Sequence, residues 1–181
     1  MALDYFALLE MPRQLWLDED AVRSQFQRLA ATAHPDGGGG DSSRFVVLNE
    51  AWQALRSPTN CLRHYLELTN PELLQPSGAM AGTNGDLFME IAEAQQRATA
   101  VTARINEART PLARAILEPE RIAARERLEQ LTSRVSEQTE AIHRQLRSDS
   151  PAPAELASAW NQLVFLEKWN NQLRERLLAL S

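Results

Sequence analysis

Six apolar residues, Leu87, Ile91, Ala94, Ala98, Val101 and Ile105, recur at spacings of 4, 3, 4, 3 and 4. A helix brings positions so spaced onto one stripe, and such a stripe needs other helices to cover it. Leu128, Leu131, Val135 and Ile142 continue the pattern in a second long helix, which the sequence starts near Pro119. A third, opening near Pro151 with Ser150 as its cap, carries Leu156, Trp160, Leu163, Leu166, Trp169, Leu173 and Leu177. Three such helices close one core, giving an antiparallel three-helix bundle. Thr110, Pro111 and Pro119 interrupt the pattern between the first two helices, because an interior proline removes a donor and clashes with the preceding turn. A short extra turn fits there.

Residues 70–85, NPELLQPSGAMAGTNG, concentrate Pro, Gly, Asn, Ser and Thr between strongly periodic flanks and read as a linker. The chain is thus expected to hold one small helical domain over 1–69 and a second over 86–181. In the first, Asp4 caps a short helix over 4–9 that Pro12 helps to end. A second helix over 19–33 repeats Val22, Phe26, Leu29 and Ala33 on one face and carries Arg23, Gln27 and Arg28 on the other. A third over 42–56 aligns Phe45, Leu48, Trp52 and Leu55, so the two pack as an antiparallel pair. Ser57 and Pro58 open a fourth through about residue 68.

Composition agrees with an all-α protein: Ala, Leu, Glu, Gln and Arg, which lose little on entering a helix, dominate. The net charge of −5, with the arginines scattered, argues against nucleic-acid binding, which needs a concentrated positive surface. The single cysteine, Cys61, excludes an internal disulfide and a zinc site built from several thiolates, and is expected to be a small buried side chain. No apolar run approaches a membrane span and the start lacks a secretion-signal pattern, so a reducing cytoplasm is expected. Neither His64 nor His143 falls in a recognisable catalytic set; each is expected on a helix surface, and the chain is expected to use no metal, cofactor or catalytic residue of its own.

Between the second and third helices stand His34, Pro35 and Asp36, followed by four glycines at 37–40. Proline biases the histidine away from helical geometry, so the second helix should stop at Ala33 and turn sharply. The corner then offers an imidazole donor and a carboxylate acceptor with no nucleophile or ligand set beside them, which suits protein recognition. Ordinary turn chemistry explains the tripeptide equally well on its own.

The context resembles a J-domain. Asp4, Tyr5 and Phe6 open it, an amphipathic helix with Phe26 and Leu29 runs into His34, Pro35 and Asp36, and the next helix supplies Asn49, Glu50, Ala51, Trp52 and Leu55. The resemblance implies binding to a DnaK-type chaperone and stimulation of its ATPase, with His34, Pro35 and Asp36 as the tripeptide needed and Arg23 and Arg28 at the basic positions. Ala33 stands where an aromatic commonly precedes the tripeptide, Gly37 where a lysine follows, and Gln27 where many members carry a base. The basic face is therefore thin.

No Gly/Phe-rich region and no cysteine-rich module follows. AWQALRSPTNCLRHYLEL at 51–68 and FLEKWNNQLRERLLAL at 165–180 are similar to HscB-type co-chaperones over nearly the whole chain. That resemblance implies a J-domain serving the chaperone HscA and a helical domain binding the iron–sulfur scaffold IscU. It places Phe88, Met89, Ala92, Glu93, Gln96 and Phe165 at scaffold-contacting positions, with Ala92 replacing a larger apolar residue and Gln96 an acid. Phe88 and Met89 lie off the Leu87, Ile91, Ala94 seam, so closing the seam leaves them near the surface or on a secondary contact. Two other readings stay open: a J-protein with a different client, and a helical adaptor whose J-domain no longer activates an ATPase.

Overall fold

The computed structural model describes residues 3–33, 42–74, 85–148 and 151–181. The described residues form seven α-helices and no strand: α1 Tyr5–Leu8, α2 Glu19–Ala33, α3 Ser42–Leu55, α4 Pro58–Thr69, α5 Gly85–Glu107, α6 Pro111–Ser148 and α7 Pro153–Ala179. A 3₁₀ turn, Pro71–Leu74, follows α4 at the start of the expected linker; residues 75–84 of that linker lie outside the described residues. The chain divides into two compact units, Met1–Pro76 with His143–Asn161, and Ser77–Ile142 with Gln162–Ser181.

In the first unit Phe6, Leu9, Val22, Leu29, Leu48, Ala51, Leu55 and Cys61 form the core, with Phe26 and Trp52 stacked at 5.6 Å between α2 and α3. Burial of each such side chain contributes about 1.5–3 kcal/mol against the entropy of ordering it. Local signals begin α1 and α4 as the sequence suggests: the Asp4 carboxylate accepts from the Phe6 and Ala7 amides, and the Ser57 hydroxyl accepts from Asn60 ahead of Pro58. The structure adds Asp18, whose carboxylate accepts from Ala21 at the start of α2. The end of α1 is set by more than Pro12. Glu10 adopts φ +52°, and the Glu10 and Met11 amides donate back to the Ala7 and Phe6 carbonyls, a Schellman turn built without glycine. Burial pushes the Cys61 thiol up to about 12, which keeps it protonated and inert at neutral pH.

His64 departs from the expected surface position. It is 3% exposed, and its Nε2 accepts the Tyr5 amide at 3.0 Å while Nδ1 faces Glu67 Oε2 at 3.3 Å. The rings of Tyr5 and Phe6 stack on it at 4.5 and 5.5 Å. An acceptor at Nε2 requires the ring proton on Nδ1, so the imidazole fastens α1 to α4 in one tautomer. His64→Ala leaves a buried amide without its acceptor and a void between two aromatics. We expect it to cost about 2–4 kcal/mol in urea unfolding. His64→Phe, which fills the space but accepts nothing, should recover only part of that loss.

The second unit closes on the expected seam: Leu87, Ile91, Ala94, Ala98 and Val101 of α5 pack with Ala124, Leu128, Leu131 and Val135 of α6 and Leu166, Trp169, Leu173 and Leu180 near and within α7. Polar ties give the directions. Glu90 meets Arg127 and Arg134, whereas Arg104 further along α5 pairs with Glu120 earlier on α6, so these helices run antiparallel. Phe88 meets Trp169 and Gln95 meets Gln172, so α5 and α7 run the same way. The Arg134 hydrogen bond holds the Glu90 carboxyl below the usual carboxylate range; withdrawal from water opposes the shift and Arg127 adds to it.

Two boundaries differ from the sequence reading. α6 begins at Pro111, where Thr110 Oγ1 accepts the Ala113 amide, and it runs through Pro119 without a break. The Thr–Pro pair is thus a start signal and not an interruption; Pro119 sits on the exposed side of the helix. α7 begins at Pro153 and not near Pro151, with the Ala152 amide donating to Glu155 as in a capping box; Ser150 lies outside the described residues.

Candidate functional site

Asp18 starts α2, and Val22 and Leu29 anchor its inner side, which turns Arg23, Gln27 and Arg28 outward to an exposed face. His34, Pro35 and Asp36, directly beyond the end of α2 at Ala33, lie outside the described residues. The two arginines of the face already have partners: Arg23 pairs with Glu19 at 2.8 Å and Asp20 at 3.1 Å, and Arg28 pairs with Glu10 and donates to Gln25 at 3.0 Å. Among the described residues, the two guanidinium groups of this face thus meet three carboxylates. Exposed pairs of this kind hold weakly, so an incoming acidic surface can exchange for Glu19, Asp20 or Glu10 at little cost.

A second surface runs along α5. With the seam turned inward, Phe88 stays 41% and Met89 56% exposed, and Ala92, Glu93 and Gln96 follow on the same outward side at helical spacing. Phe165 of α7 is half-buried against the core. Trp169, nearly buried, joins the two helices: its ring centroid lies 6.1 Å from Phe88 and 6.2 Å from Phe165. The six positions marked by resemblance therefore comprise five exposed residues of α5 and one aromatic of α7 that shares a neighbour with Phe88. Trp169 itself, read from the sequence only as core, is the floor of this surface; its place four residues beyond Phe165 was the available signal.

The surface is apolar and aromatic with a sparse polar edge, which suits docking of a protein and offers no reacting group. Among the described residues no cluster of three His, Cys, Asp or Glu side chains is placed to hold a metal ion, and no helix is long and apolar enough to cross a membrane. Within the first unit, the edge of α6 brings the Arg147 guanidinium to 4.3 Å from the Trp16 ring centroid, with the His143 ring edge-on at 5.0 Å. Nothing in the periodicity of the sequence marks that cluster.

No family model matches the chain. Among curated proteins, the HscB co-chaperone homolog of Azoarcus sp. (strain BH72) is 27% identical over 199 residues, covering 98% of this chain and 95% of that protein. The chaperone protein DnaJ of Zymomonas mobilis is 33% identical over 86 residues, covering 46% of this chain and 22% of that protein. The match to the HscB co-chaperone of Proteus mirabilis, 28% identical over 89 residues, covers 45% of this chain and 51% of that one. Several curated relatives are therefore matched over about half their length or less. Among solved structures, the HscB chaperone of Vibrio cholerae superposes with a TM-score of 0.55 at 22% identity over 96% of both chains, which shows a common fold. The fold is that of a J-domain followed by a C-terminal three-helix bundle.

Proposed function

We propose that this chain, an HscB-type J-domain protein in sequence and fold, stimulates ATP hydrolysis by a DnaK/HscA-type chaperone and delivers to it an iron–sulfur scaffold protein of the IscU type. In this reading the J-domain covers 1–69, residues 70–85 link it to a client domain over 86–181, and the protein works in the cytoplasm. The chain is not itself the enzyme; the chemistry belongs to the partner ATPase. His34, Pro35 and Asp36, with Arg23, Gln27 and Arg28, meet the chaperone. Phe88, Met89, Ala92, Glu93, Gln96 and Phe165 meet the client.

One observation carries the client half of this reading. In a chain similar to HscB proteins over its whole length, the α5 seam is shut while Phe88 and Met89 stand 41% and 56% exposed next to it. Large apolar side chains so placed mark interaction surfaces. Holding both partners on one chain makes the second encounter intramolecular and raises the local client concentration. The pairing of Arg23 and Arg28 with carboxylates favours a second reading, an adaptor whose J-domain has lost activation. A two-partner assay tests the proposal: immobilised HscA with ATP should retain purified scaffold well above background only when this protein is added. Retention that does not depend on this protein counts against it.

A further inference from the structure

Among the described residues, Glu10 is the one residue other than glycine with a positive φ, +52°. It closes the turn after α1, a position where glycine is usual because a Cβ crowds the backbone there. Its side chain reaches from that turn to α2, where the carboxylate pairs with the Arg28 guanidinium. Both side chains are exposed, and an exposed pair adds little to stability, so the ion pair returns little of what the left-handed backbone costs. Strain kept where folding gains so little from it points to a use for the side chain.

The other arginine of the α2 face is held differently. Arg23 pairs with Glu19 and Asp20 on the preceding turn of its own helix, and pairs of that kind come with helical spacing. Arg28 draws its carboxylate from a separate element, 18 residues earlier in the chain, and its second contact is the neutral Gln25 at 3.0 Å. It is also the nearer of the two to the end of α2 at Ala33, and so to His34, Pro35 and Asp36 in sequence. Among the described residues, Glu10 is thus the ion-pair partner of the arginine closest to the tripeptide along the chain.

We propose that Glu10 is an internal rival for Arg28: in the free protein its carboxylate occupies the guanidinium that a carboxylate of the chaperone takes in the complex. Docking then exchanges one acid for the other. Because the pair is exposed the exchange costs little, so Glu10 acts on the rate at which an acidic surface engages α2 and not on the lifetime of the docked complex. A partner that also meets His34, Pro35 and Asp36 stays after the exchange, whereas one that offers acid alone does not. The inference rests on the chaperone reading of the α2 face and adds a residue from outside α2 that sets how readily the face is taken.

The test uses the full chain and a purified DnaK-type chaperone with ATP, with association and dissociation followed at about 50 and 300 mM salt, on either side of the 0.1 M at which the Debye length is roughly 10 Å. Glu10→Gln, which removes the charge and keeps a side chain on the turn, should speed association roughly 2- to 4-fold at low salt and much less at high salt, with dissociation little changed. Glu10→Gly should give the same gain and also raise the urea midpoint, because it relieves the turn. A midpoint that falls instead would show the pair to be kept for stability and overturn the inference. Glu175→Gln, the same charge change at an exposed site on α7, should leave association near wild type. In an Arg28→Gln background, itself slower to associate, Glu10→Gln should lose most of its gain, since the rivalry needs both groups. If Glu10→Gln leaves association unchanged or slows it while Arg28→Gln slows it, Glu10 is no rival; the inference is overturned and the chaperone face stands. If the gain persists in the Arg28→Gln background, or Glu175→Gln matches it, the effect is one of net charge and the inference is again overturned. If wild type does not bind the chaperone at all, the chaperone reading falls and takes this inference with it.

Discussion

His34→Gln is expected to return the steady-state ATPase of a DnaK-type chaperone to its unstimulated rate while leaving the fold of this protein intact. The chemistry is local. Glutamine keeps a donor and an acceptor of similar reach but on a flexible chain, whereas imidazole holds them at fixed angles on a ring. Pro35 restricts the backbone on both sides of the peptide bond, so the geometry available to residue 34 is narrow and a floppy amide cannot reproduce it. In the proposed reading His34, which follows the last residue of α2, serves an outward contact and not the Phe6, Val22, Leu48 and Leu55 core, so thermal unfolding should be unchanged. Full stimulation by His34→Gln, with the protein folded, would establish the adaptor reading and remove ATPase activation from the proposal.

The result also bears on the basic face of α2. Where the face has a surplus of arginine, attraction at long range brings an acidic partner in; here Glu19, Asp20 and Glu10 cancel it. In the proposed reading the tripeptide therefore supplies recognition with little help from steering. Charge pairs at 48% to 60% exposure on Arg23, Glu19, Arg28 and Glu10 are held too weakly to lock the face shut, so they reduce the encounter rate more than the final contact.

How far the sequence revealed this follows from the range of each interaction. The seam of α5, the pair of helices in the J-domain and the caps at Asp4 and Ser57 were legible because periodicity and capping are set within a few residues. The exposure of Phe88 and Met89 followed from the same periodicity, since it assigns what lies off the seam. The Glu19 and Arg23 pair sits at a readable i,i+4 spacing, but Arg28 with Glu10 does not, being joined across 18 residues. The burial of His64 depends on Tyr5, 59 residues earlier, and no local pattern on α4 announces an acceptor for that amide. The steric cost of Pro119 is real, but it falls on an exposed face of α6 where no packing is lost. The cluster of Trp16, His143 and Arg147 joins residues more than a hundred positions apart and carries no repeat at all.

Phe88→Ala should weaken scaffold binding roughly 30-fold, about 2 kcal/mol, the scale of a central aromatic anchor. The same truncation should lower the stability of the bundle by about 1 kcal/mol or less, because the ring is already 41% exposed and its main intramolecular contact is a tilted approach to Trp169 at 6.1 Å. The two numbers separate the possible roles of this side chain. A residue kept for packing loses stability and leaves client affinity alone; a residue kept for docking does the reverse. Trp169→Ala supplies the contrast, since it empties a buried site beneath both Phe88 and Phe165 and should cost about 3–5 kcal/mol of folding free energy as well as affinity. Isothermal titration with purified scaffold, paired with urea unfolding of each variant, reads both quantities. Unchanged affinity for Phe88→Ala with a clearly lowered unfolding midpoint would place Phe88 in the bundle's own packing and leave the α5 surface without its anchor.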